Sequence, residues 1–211
     1  LLRIGIPVFP DAAARFMPYL LVLGLAGVVY AAWVAFAQRD MKRLVAYSSI
    51  GHMGLLVLGL AVWDRLTLTG SVLQMVNHGI TTAALFILVG MLDERLHTRK
   101  LSDFGGIWKS MPVFSAFFLL FAMASLGLPG LNNFVSEILI LFGLFRASPV
   151  VGTIAIATLV LTLVYVLRLV QDTLYGPAQH QHPVADLNSR EFAILLPLAL
   201  AVLALGLYPA P

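Results

Sequence analysis

One carboxylate and two imidazoles stand where an apolar chain has least use for them. Glu137 lies in "GLPGLNNFVSEILIL" (127–141), His52 in "AYSSIGHMGLLVLG" (46–59) and His78 in "LQMVNHGITTAALF" (73–86). An acid deep in a membrane costs about 2.5–3.5 kcal/mol on insertion scales, and passive packing needs no such group. Intramembrane carboxylates usually face a bundle interior or a water cavity and mark an ion or proton route. Imidazole titrates near neutrality and both donates and accepts, which suits proton transfer. Ser48, Ser49, Asn77, Thr81 and Thr82 surround the histidines with hydroxyls and an amide. A single buried histidine more often only hydrogen-bonds between helices, adding about 1 kcal/mol. Two histidines, an acid and a broken span at similar depth point instead to a relay. Lys42, at the start of a span, either snorkels to the interface or points inward as a charge partner.

These groups need a scaffold, and composition says which kind. The 211 residues are 60% hydrophobic and 11% charged, against about 25% charged in soluble domains. That predicts an all-α, polytopic transmembrane bundle in contact with lipid. Six apolar segments approach or exceed the roughly 20 residues of a spanning helix: 16–37, 44–63, 68–92, 111–145, 150–175 and 192–208. The net charge of +3 does not imply nucleic acid, because the basic residues lie in short loops between spans. Arg39, Lys42, Arg43, Arg95, Arg99, Lys100, Lys109 and Arg190 fall on one side, and Arg3, Arg15, Arg65 and Arg146 on the other. The richer side is expected to face the cytoplasm or its equivalent. Trp33, Trp63 and Trp108 near span ends suit the interface.

The segment 111–145 is too long for one crossing. Its middle carries Gly127, Pro129 and Gly130, then Asn132 and Asn133. Proline cannot donate to the helix ladder and glycine loosens the backbone. Two half-helices joined by an irregular linker are expected, with a proline kink as the plainer alternative. A break is tolerated only where protein or water satisfies the freed backbone groups, and the two asparagines are candidates for that task. Residues 176–189 read as a polar loop. Its His180 and His182 are two histidines without further ligands, so no metal site is assigned. With no Cys, P-loop, HExxH or nucleotide fingerprint, the chain is expected to hold no cofactor and no catalytic residue of its own.

"AFAQRDMKRLVAYSSIGHMG" (35–54), "QMVNHGITTAALFILVGMLDERLHTR" (74–99), "GGIWKSMP" (105–112) and "LFAMASLGLPGLNNFVSEILILFG" (120–143) resemble the antiporter-like membrane subunits of respiratory complex I, the subunit M or ND4 type. The resemblance runs over the whole chain. It implies one transmembrane domain over 1–211: the second of two inverted five-helix repeats (16–175) with its broken helix at 111–145, and a final helix at 192–208. The chain would be the C-terminal part of a longer subunit whose first repeat carries its own relay residues. The resemblance places His52 and His78 on a central polar axis and Glu137 on the acid beyond the break, where related subunits and antiporters carry lysine. It implies proton translocation coupled to electron transfer elsewhere, with NADH, FMN, iron–sulfur clusters and quinone in partner subunits. Neighbouring antiporter-like subunits would be its partners, in a bacterial inner membrane rather than a mitochondrial one. A hydrogenase or formate-oxidising complex and a cation/proton antiporter are the alternatives. Two departures from the family pattern stand out: Ser136 replaces a glycine before the acid, and "GLNN" replaces a smaller linker.

Overall fold

Helix starts are written into the sequence at almost every span. Pro10, Pro112 and Pro149 occupy the first turns of three helices, where a missing N–H costs nothing. Asp40, Asp64 and Asn188 cap three others, accepting from the backbone N–H of Arg43, Leu66 and Glu191. The structure, a computed structural model, describes residues 2, 4–177 and 184–208. Among them run α1 (Gly5–Val8), α2 (Pro10–Ala37), α3 (Met41–Val62), α4 (Arg65–Leu96), a 3-10 turn (Leu101–Asp103), α5 (Ile107–Ser110), α6 (Pro112–Ser125), α7 (Asn132–Ala147), α8 (Pro149–Leu174) and α9 (Ser189–Leu207). His180 and His182 lie outside the described residues.

Among the described residues, five helices, α2, α3, α4, α8 and α9, are long and apolar enough to cross a membrane. Helices α6 and α7, with 14 and 16 residues, reach about 21 and 24 Å, each short of a core near 30 Å. Joined through 126–131, they form the expected broken span. The helices begin earlier than hydropathy predicts: α2 at Pro10 rather than 16 and α4 at Arg65 rather than 68. Capped first turns tolerate polar residues, so apolarity alone misses them. Asn132 and Asn133, expected in the linker, are not in the break. They are the first two residues of α7 and are essentially fully buried.

Loop contacts confirm the alternation of spans. Backbone bonds from Met41 N to Arg99 O and from Leu101 N to Arg39 O (both 2.9 Å) zip the α2–α3 loop to the α4–α5 loop. Arg95 reaches the carbonyls of Ala185 and Asp186 and pairs with Glu191 at 2.6 Å. The Asp186 carboxylate accepts from Val113 N and Phe114 N, closing the start of α6. The ends of α2, α4, α8 and the starts of α3, α6 and α9 therefore share one side, the arginine- and lysine-rich one. Arg65, exposed at the opposite end of α4, reports the other face. In sealed vesicles, Arg43→Cys and Arg65→Cys are expected to label from opposite sides with an impermeant maleimide. Labelling of both from one side would overturn the topology.

Phe114, Phe118 and Phe121 point from α6 into the main core, where Leu88 and Leu92 of α4 and Val166, Leu169 and Leu174 of α8 meet them. Outer positions such as Phe16, Tyr30, Trp33 and Phe142 are exposed and apolar. That is the surface a hydrocarbon solvent requires.

Candidate functional site

The break itself explains how the site forms. Leu126 ends α6, and the chain turns at Gly127 (φ +66°) and Gly130 (φ +92°), left-handed conformations that glycine adopts without strain. Leu131 N donates to Leu128 O within the turn at 3.0 Å, and Gly127 N donates to Ala124 O at the end of α6 at 3.1 Å. The turn delivers Glu137 to the second turn of α7, with one carboxylate oxygen, Oε2, directly against Gly127, where any Cβ would sit.

Glu137 and His52 meet in the interior, each only 5% exposed. Glu137 Oε1 lies 3.2 Å from His52 Nδ1, close enough for a proton to cross but off the line of a made hydrogen bond. The His52 and His78 rings are 5.5 Å apart between centroids. Ser49 Oγ lies 2.9 Å from His78 Nε2, and Thr82 Oγ1 lies 3.1 Å from His78 Nδ1. Acid, imidazole, imidazole and hydroxyl are thus contiguous across α7, α3 and α4.

Beside this row are two cavities of about 10 Å³ each, the space one water occupies. Ser48, Ser49, His52, Thr82, Ser125 and Asn133 line the first; Ser48, His52, Thr158, Thr162 and Tyr165 line the second. His52 Nε2 and Asn133 Oδ1 are buried without a protein partner, and each borders such a cavity. Tyr165, almost fully buried, donates its hydroxyl to Ser48 Oγ at 3.1 Å. Tyr165 is a residue that pattern reading missed. Its signal was Thr158, Thr162 and Tyr165, polar groups at helical spacing in an apolar span.

Lys42 does not join them. It is exposed in the first turn of α3, apart from the buried cluster. The asparagines face another way from the one expected. Asn132 bonds not to the loosened turn but to α4, its amide donating to Asn77 O at 3.1 Å and to Thr81 Oγ1 at 3.1 Å. Asn77 donates back to Asn132 O at 2.7 Å and to Ser136 Oγ at 3.2 Å. The Ser136 hydroxyl donates in turn to Gln74 Oε1.

A broken span, a buried acid–imidazole row and water-sized cavities together define a class: polytopic helical membrane proteins with a polar axis inside the bilayer. Residues 1–162 match the family model described as NADH:quinone oxidoreductase/Mrp antiporter, transmembrane. The chain belongs to that family. NADH-quinone oxidoreductase subunit M of Pseudomonas aeruginosa is 47% identical over 211 residues, covering 100% of this chain and 42% of that relative. The chain spans about two fifths of the length of the curated relatives it matches. A chain of respiratory complex I from Thermus thermophilus with bound NADH superposes with TM-score 0.93 at 34% identity, covering 99% of this chain and 44% of that one. A chain of the Mrp complex from Dietzia sp. DQ12-45-1b shares the fold, with TM-score 0.85 at 20% identity, covering 93% of this chain and 45% of that one.

Proposed function

We propose that this chain is the C-terminal part of a proton-translocating membrane subunit of an NADH:quinone oxidoreductase, and that Glu137, His52 and His78 pass the proton. The contact of Glu137 Oε1 with His52 Nδ1 at 3.2 Å carries the reading. A protonated Glu137 transfers its proton to His52 Nδ1, leaving carboxylate and imidazolium side by side. The imidazolium releases a proton from Nε2 into the cavity bordered by Ser48, Ser49 and Thr82, and the hydroxyls of Ser49 and Thr82 hand it to His78. Burial keeps bulk water from short-circuiting the row, while the hydroxyls and one water per cavity complete it.

The subunit performs no redox step itself in this reading. NADH, FMN, iron–sulfur clusters and quinone belong to partner subunits, and neighbouring antiporter-like subunits complete the membrane arm in a bacterial inner membrane. The subunit M relatives support the NADH-linked complex over a stand-alone antiporter. Purified parent complex in proteoliposomes should acidify one compartment on NADH oxidation, with no requirement for sodium. A sodium-dependent, NADH-independent pH gradient would establish the antiporter reading instead.

The histidines should matter less than the acid. His78→Ala is expected to lower coupled proton translocation well short of the about 10²–10⁴-fold typical of a lost acid–base group. Ser49 and Thr82 remain, and a water can enter the vacated space. Pumping and quinone reduction measured together check this: a fall beyond 10²-fold would make His78 an obligatory carrier.

A further inference from the structure

We infer that Asn77 of α4 is a positioning residue: with Asn132 it forms a reciprocal amide clamp that sets the rotation of α7 and so aims the Glu137 carboxylate at His52. The inference rests on the relay reading above.

An ordinary helix inherits its rotation from the turns before it. Helix α7 cannot, because the irregular stretch 126–131 separates it from α6. Its orientation must be fixed by contacts, and the most extensive of them are with α4. Asn132, Ser136, Ile140 and Gly143 follow one another at helical spacing and meet α4 in antiparallel order. Asn132 meets Asn77 and Thr81; Ser136 meets Asn77 and Gln74. A Cβ on Gly70 would lie 2.9 Å from both the Ser136 carbonyl oxygen and Ile140 Cγ1, and Gly143 packs onto Thr67. The far half of this seam is glycine, isoleucine and a threonine methyl in close contact, which permits sliding and rolling but does not direct either. Only the amide–hydroxyl half next to the break has directional bonds.

The geometry explains why the clamp controls the acid. Glu137 follows Ser136 by one residue, about 100° around the helix. With Ser136 locked on α4, Glu137 is turned towards α3 and His52. Side chains reach about 5–6 Å from a helix axis, so a roll near 30° carries a carboxylate about 3 Å. That displacement is comparable to the 3.2 Å separation from His52 Nδ1. Asn77 and His78 are neighbours in sequence and likewise face different helices, α7 and α3. One turn of α4 therefore holds both the clamp and the next relay group.

The test uses the full-length subunit assembled in its parent complex. Asn77→Ala removes both side-chain bonds to α7. It should lower the coupled proton-translocation rate about tenfold, within the about 10²-fold that a 1 Å misplacement can cost. It should also shift the carboxyl C=O infrared band of Glu137, identified by its loss in Glu137→Gln. Asn132→Gly deletes one amide but keeps the 132 carbonyl that Asn77 holds at 2.7 Å, so rate and band should move the same way, by less. An Asn77→Ala complex with wild-type rate and unshifted band would overturn the clamp, as would a larger effect in Asn132→Gly. If Asn77→Ala fails to assemble, an unshifted band in Asn132→Gly overturns it alone. Failure of the relay reading is distinguishable, because Glu137→Gln would then pump normally whatever the band does.

Discussion

Glu137→Gln is expected to abolish coupled proton translocation, while Glu137→Asp keeps a substantial part of it. Glutamine preserves the size and polarity of the side chain, so the bundle should assemble. It cannot release a proton. The loss expected is at least about 10²-fold, the lower range for removing a positioned acid–base group. Aspartate retains the acid but draws it back by one methylene, lengthening a 3.2 Å approach that has an adjacent cavity in which water can bridge. A purely structural Glu137 predicts the reverse order, since glutamine is the closer isostere. Proton uptake into inverted vesicles, normalised to assembled complex, decides between them. A glutamine variant that pumps at the wild-type rate would remove the basis of the relay.

Gly127→Ala is expected to cost most of the coupled pumping. Two costs coincide there. The backbone is left-handed at φ +66°, a conformation that costs an L-residue about 1–2 kcal/mol. In addition, the new Cβ would fall on Glu137 Oε2, forcing the carboxylate away from its place beside His52. Gly130→Ala separates the two effects. It bears the same kind of strain at φ +92°, but its Cβ would meet nothing within 4 Å. Both variants should unfold more easily in detergent, whereas only Gly127→Ala should lose coupled pumping, by roughly 10²-fold if the acid moves about 1 Å. Equal activity in the two would show that the cradle around Oε2 does not matter.

The Gly206 contact bears on the same turn. Helix α9 brings Gly206 against the Gly130 carbonyl and the Leu131 backbone, leaving no room for a side chain. The final span thus backs the break from behind and excludes lipid from backbone groups that hydrocarbon could not satisfy. Nothing in the local pattern of "LALGLYP" (203–209) announces this role.

Much of the architecture follows from sequence alone, because its causes are local. Five continuous spans register as long apolar runs, and the broken one registers as a run too long for a bilayer with Gly127, Pro129 and Gly130 inside it. A lone acid in such a run stands out because its desolvation cost is intrinsic to the residue. The side on which each loop lies follows from counting crossings and charges. Which groups touch does not. Hydropathy gives depth along a span but not rotation about its axis, and rotation is set by packing between residues far apart in the chain, such as Asn77 and Asn132. So only the tertiary structure decided that His52 rather than His78 meets Glu137, that Lys42 stays at the surface, and that Tyr165 joins through Ser48. Asn132 and Asn133 show the same limit: composition marks them as breakers, but burial against α4 offers Asn132 better partners than the turn does. Once those long-range bonds form, they hold Asn132 in the first turn of the helix and fix the direction in which the acid points.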